Sequence, residues 1–118
     1  MRSKRLPHPL EHHESFRAVI AAAPPVAELA HVAADGELVG QLAIACGDLA
    51  SGFAAPPGSA SRVRAHHRAW VTVRELDRAV RALRLNRRAP ARVLARAQRA
   101  IDRADVMIGA LPGVGLAV

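Results

Sequence analysis

From residue 94 onward the apolar residues Leu94, Ala97, Ile101, Ala104, Ile108 and Leu111 recur in steps of three and four. That is the period of one helix face. Arg88, Arg92, Arg96, Arg99 and Arg103 run through the same stretch. At about 100° per residue these five fall within an arc of roughly 80°, nearly opposite the apolar stripe. The preceding stretch repeats the design. Val63, Trp70, Val73, Leu76, Val80 and Leu83 are predicted to point inward, and Arg64, Arg68, Arg74, Arg78 and Arg81 outward. Leu85-Asn86-Arg87-Arg88 joins the two helices. Ser59 or Ser61 is the predicted N-cap of the earlier helix, Asn86 its terminator, and Pro90 a first-turn proline of the later one.

The first half is less regular. Residues 10–23 predict a helix with Phe16 and Ile20 inward and Val19 beside them. Pro24-Pro25 removes two amide donors and clashes with the preceding turn, so this unit is expected to be one strongly kinked helix or two short ones. Helical character resumes over residues 26–34 through Leu29 and Val32. Asp35 is the expected N-cap of a helix over residues 37–51. Leu38, Leu42, Ala45 and Leu49 form one stripe there, and Gly40, Ala43, Gly47 and Ala50 a second. Two apolar faces predict a central helix whose small residues admit a close neighbour. Residues 52–60 read as a loop on Gly and Pro content. Pro112 and Gly113 stop the last helix, and the apolar tail beyond docks on the bundle, docks on a neighbouring subunit or frays. The pattern predicts an all-α, antiparallel up-down four-helix bundle over residues 10–112, with a disordered basic arm at 1–9 and an apolar tail at 113–118.

A chain of 118 residues is expected to form one domain. A lone cysteine, Cys46, excludes an internal disulfide and suits a reducing compartment. Its expected role is a small buried residue. The opening residues lack an apolar signal region, and no apolar run has the length of a membrane span, so a cytoplasmic location is expected. The net charge of +7 is uneven. Residues 62–103 hold thirteen arginines against Glu75, Asp77 and Asp102. Such a basic half points to a polyanion or a complementary protein surface.

His12-His13 and His66-His67 are adjacent pairs, and neighbours on a helix point about 100° apart, which does not chelate a metal well. His67 is placed near the inward stripe, as a core or boundary histidine. No phosphate-binding glycine loop or nucleophile elbow occurs, and neither a cofactor nor catalysis is expected. Asp77–Arg81 and Glu75–Arg78 have the spacing of surface ion pairs. The remaining signal is the arginine set: Arg64, Arg68, Arg74, Arg78, Arg81, Arg88, Arg92, Arg96, Arg99 and Arg103. A solvated face usually mixes signs, and like charges at i,i+4 destabilise a helix slightly unless an anion is present. Guanidinium forks suit phosphate. With only Phe16, Phe53 and Trp70 as aromatics, backbone contact rather than base stacking is expected, to RNA or DNA. The alternative is a structural or adaptor protein that self-assembles or binds an acidic protein.

The order of features resembles a bacterial four-helix bundle family. It includes proteins encoded by intervening sequences within large-subunit ribosomal RNA genes and accessory variability proteins of diversity-generating retroelements. Asp48-Leu49-Ala50-Ser51-Gly52-Phe53 resembles the family's Asn-Ile-Ala-Glu-Gly-Phe signature, with Asp48 for Asn and Ser51 for Glu. Arg74-Glu75-Leu76-Asp77 is similar to its Ala-Glu-Leu-Glu, and Leu85-Asn86-Arg87-Arg88 stands at its turn. Glu37-Leu38-Val39-Gly40 replaces the basic opening of its second helix. The resemblance implies a homopentameric ring with a basic surface that binds nucleic acid, RNA favoured, or a reverse transcriptase–RNA complex.

Overall fold

In the computed structural model, residues 9–115 are described. A single 3-10 turn, Pro9–His12, leads into α1 (Glu14–Ala33), α2 (Glu37–Ala54), α3 (Ala60–Leu85) and α4 (Ala91–Gly109). Helices α1 and α3 each pack on α2 and α4, so the four stand at the corners of a square in an up-down bundle. The basic arm expected over residues 1–9 lies, apart from Pro9, outside the described residues.

The core is made where the 3–4 spacing places it. Val73, Leu76, Val80 and Leu83 of α3 and Leu94, Ala97, Ile101, Ala104 and Ile108 of α4 are buried against Val19, Val26, Leu29, Leu38, Leu42 and Leu49. Val63 and Trp70 are only half-buried. Cys46 is also half-buried, and burial pushes its thiol pKa up.

Helix α1 runs unbroken through Pro24 and Pro25, so of the two expected forms it is the single helix and not two short ones. The prolines withdraw donors from the carbonyls of Ile20 and Ala21, four residues back. Both residues are exposed, which leaves those carbonyls to water, while Pro25 and Val26 pack into the core. Ile20 is therefore 50% exposed rather than inward. By length and composition α1 could also pass for a membrane span. In the fold it supplies one wall of the core.

Helix α2 extends to Ala54, three residues past the predicted end. Gly36 is its N-cap, while Asp35 Oδ1 accepts from the Glu37 amide at 3.2 Å. Its small-residue stripe does not receive a neighbour. A side chain added at Gly40 or Gly47 would meet nothing within 4 Å. A corner helix buries one face only, and among the described residues no other element covers the outer side of α2.

Ser59 caps α3 by accepting from the Arg62 amide at 3.2 Å. Asn86 is the C-cap of helix α3, followed by Arg87 in the left-handed region at φ 52°. The Arg88 amide donates to the Leu83 carbonyl and the Arg87 amide to that of Arg84, the two bonds of a Schellman closure. After α4 the chain folds back and Val114 is fully buried. The tail therefore docks on its own bundle as far as it is described. Gly113, at φ 82°, makes that turn beside Val63.

Candidate nucleic-acid interface

All ten predicted arginines lie on the exposed surface, but the fold divides them. Those flanking a seam between helices meet a carboxylate from the neighbouring helix or their own. Arg68 pairs with Asp48 of α2 at 3.6 Å, and Arg74 with Asp105 of α4 at 3.7 Å. Arg74 also lies over the Trp70 ring, 4.9 Å from its centroid. Arg81 pairs with Asp77 at 3.0 Å, and Arg96 reaches Glu28 of α1 at 2.6 Å. Two others bind neutral groups. Arg64 donates to Ser61 Oγ at 3.4 Å, and Arg88 to the Ala33 carbonyl at 3.2 Å, at the C-terminus of α1.

Arg78, Arg92, Arg99 and Arg103 have no hydrogen-bond or ion-pair partner among the described residues. The expected Glu75–Arg78 pair does not form. Arg92, Arg99 and Arg103 share the outermost line of α4 and span roughly 16 Å along its axis. A nucleic-acid strand carries a phosphate about every 3.4 Å of axis, so this line is long enough to meet several.

The α3–α4 seam beside them is already neutralised. Gln98 is buried, and its Nε2 donates to Asp77 Oδ1 at 2.5 Å and to Asp102 Oδ1 at 2.9 Å. Burial pushes the Asp77 pKa up, but hydrogen bonds from Arg81 and Gln98 outweigh it and hold the carboxyl below its ordinary range. Asp77 is therefore ionised and already committed to groups within the bundle.

Two histidines, His13 and His66, meet at the far end of the bundle from the α3–α4 turn. His13 stacks on Phe53 with centroids 3.7 Å apart, and Phe53 contacts His66 at 4.4 Å. Arg62 lies over the same Phe53 ring at 5.1 Å. His66 is the buried imidazole, not His67, which is half-exposed. Its ring sits where a Cβ on Gly52 would be, so the glycine of the Asp48–Phe53 stretch is what admits it. Burial, then Arg62, hold both His13 and His66 below the usual histidine range. Among the described residues no three histidine, cysteine or acidic side chains converge as metal ligands.

Helix periodicity missed two further arginines. Arg84 and Arg87 are exposed, have no side-chain partner among the described residues and line one groove at the α3–α4 turn. The helical wheel puts Arg84 towards the α4 seam, off the outward arc, and Arg87 belongs to no helix. Their signal was the stretch Arg84-Leu85-Asn86-Arg87-Arg88, three arginines without an acid.

No family model, curated protein or solved structure matches this chain. The family resemblance thus rests on the Asp48–Phe53 stretch, the two shorter motifs and the order of the helices.

Proposed function

We propose that this four-helix bundle binds nucleic acid without catalysing a reaction, through the phosphate backbone. The observation that carries the reading is the row Arg92, Arg99 and Arg103, with Arg78 on the adjacent helix, all exposed and unpartnered. By contrast Arg68, Arg74, Arg81 and Arg96 are held by carboxylates, Arg88 by a carbonyl and Arg64 by a hydroxyl. Leaving a same-sign row on one helix destabilises that helix slightly, and a polyanion reverses the sign of the effect. Planar guanidiniums suit phosphate oxygens, and the scarcity of exposed aromatics favours contact with the backbone over base reading. RNA as the ligand, a homopentameric ring and a reverse transcriptase partner are finer terms that rest on the resemblance alone. The test is binding of generic RNA and duplex DNA across a salt series. The reading expects affinity that falls steeply with salt. Weak binding that ignores salt would remove it.

A second reading, self-assembly or docking on a partner protein, has its own observation. From Leu38 to Gly47 helix α2 carries no charged residue. Val39 and Ile44 are 45% and 59% exposed, and an apolar groove between α1 and α2 is lined by Ile20, Ala23, Val39, Ala43 and Cys46 among others. Contiguous exposed apolar surface of this kind marks interaction sites. Sedimentation velocity tests it. A monomer at high concentration, unchanged by Ile44→Glu, would count against assembly. The two readings are compatible, because the α1–α2 side lies across the bundle from the α3–α4 side.

A further inference from the structure

We propose that Arg84 and Arg87 form a separate site for the phosphorylated end of a nucleic-acid strand, an inference that rests on the nucleic-acid reading above. The groove at the α3–α4 turn has a volume of about 540 Å³. Its rim is Arg84 and Arg87, and its floor is Ala89, Ala91, Leu94 and Ala95. No carboxylate lines it.

Three features separate this groove from the α4 row. First, Arg87 stands in the left-handed region, φ 52°, at the position after a helix where glycine is usual. A side chain there strains the backbone, and the Schellman closure would form more easily without it. Ala34 closes α1 in the same conformation at φ 56°, so the strain is shared; what distinguishes Arg87 is that its strained position also places a guanidinium on the groove. Second, two unpaired guanidiniums border one groove. A terminal phosphate monoester carries close to two negative charges, an internal phosphodiester one, so the pair matches the terminal group better. Third, the floor is apolar. Phosphates of a continuous duplex need no such surface, and a duplex lying along α4 would run past the end of the bundle. A strand end can turn into the groove and lay the apolar face of its last nucleoside on the alanines.

The test compares two duplexes that differ only in carrying a terminal phosphate or a terminal hydroxyl. The proposal expects the phosphorylated end to bind about tenfold tighter, the ratio expected for one charge-assisted contact. Arg87→Gly and Arg84→Gln each remove that preference. Arg87→Gly also leaves Tm unchanged or higher, because glycine relieves the strain. Arg99→Gln weakens both duplexes alike and leaves the preference intact. Equal binding of the two ends by the unsubstituted protein, or a preference that survives Arg87→Gly, would overturn the terminal-phosphate site. In either case salt-sensitive binding that weakens in Arg99→Gln would still support the wider reading. Absence of salt-sensitive binding to either duplex would overturn both.

Discussion

The arginines of α3 and the outer row of α4 look alike as a pattern and differ in what they touch. Arg68, Arg74 and Arg81 flank seams and are each held by an aspartate. Arg92, Arg99 and Arg103 lie at the point of α4 furthest from its neighbours and touch no acid. The difference is positional. A guanidinium at the edge of a helix–helix seam meets whatever the neighbouring helix presents, and here that is Asp48 or Asp105. One at the outermost angle has only solvent or a ligand. Position around the helix therefore separates arginines that serve the fold from arginines available to a polyanion.

The largest effect that could break this contrast is on affinity. Replacing Arg92, Arg99 and Arg103 together by Gln is expected to weaken nucleic-acid binding by at least about a hundredfold, or ~2.7 kcal/mol. Replacing Arg68, Arg74 and Arg81 is expected to change it far less, since each of those guanidiniums is already engaged by an aspartate. Fluorescence anisotropy on one duplex would compare the two triples directly.

A second contrast lies within α2, between glycines that are needed and glycines that are not. Gly52→Ala places a methyl group in the His66 ring and is expected to cost about 1–3 kcal/mol of stability by overpacking, read by urea unfolding. Gly40 and Gly47 face open space, and Gly47→Ala is expected to stabilise by about 0.5–1 kcal/mol. A loss at Gly47 would mean that another surface packs there, as the assembly reading requires.

The histidine end of the bundle and the α3–α4 seam should also differ with pH. His13 and His66 are held neutral in the fold, by burial first. The unfolded chain therefore takes up protons near the ordinary value of about 6.5 before the folded chain does. Their contribution is full above that pH and is lost as pH falls below it towards the folded value. Asp77, whose pKa is depressed, loses its contribution only at lower pH, as protonation passes through its folded value. Thermal melts should thus fall in two stages on acidification. His66→Gln should flatten the upper one, and a first stage that persists unchanged in that variant would contradict the assignment.

Some of this was legible in the sequence. The α4 stripe and its opposite arginine row were fixed by local period alone, and so was Asp77–Arg81 at i,i+4. The pairings Arg68–Asp48, Arg74–Asp105 and Arg96–Glu28 join residues far apart in the chain, so which arginines stayed free could not be read from spacing. The prolines of α1 left one helix or two open because local rules do not register that Ile20 and Ala21 end on the wet side. The choice of His66 over His67 depended on the missing side chain of Gly52, one helix away. The small residues of α2 have a spacing that suits close packing, yet whether a neighbour arrives is a tertiary fact.

The central claim is that the outer row of α4, and not arginine content as such, contacts phosphate. The most direct measurement is the slope of log affinity against log salt for one duplex, taken for the unsubstituted protein and for the two triple variants. The Arg92/Arg99/Arg103→Gln slope should be shallower by roughly 2.7, at about 0.9 for each phosphate no longer neutralised, and the Arg68/Arg74/Arg81→Gln slope should be nearly unchanged. Equal flattening in both triples, or a slope untouched by removing the outer row, would contradict the account.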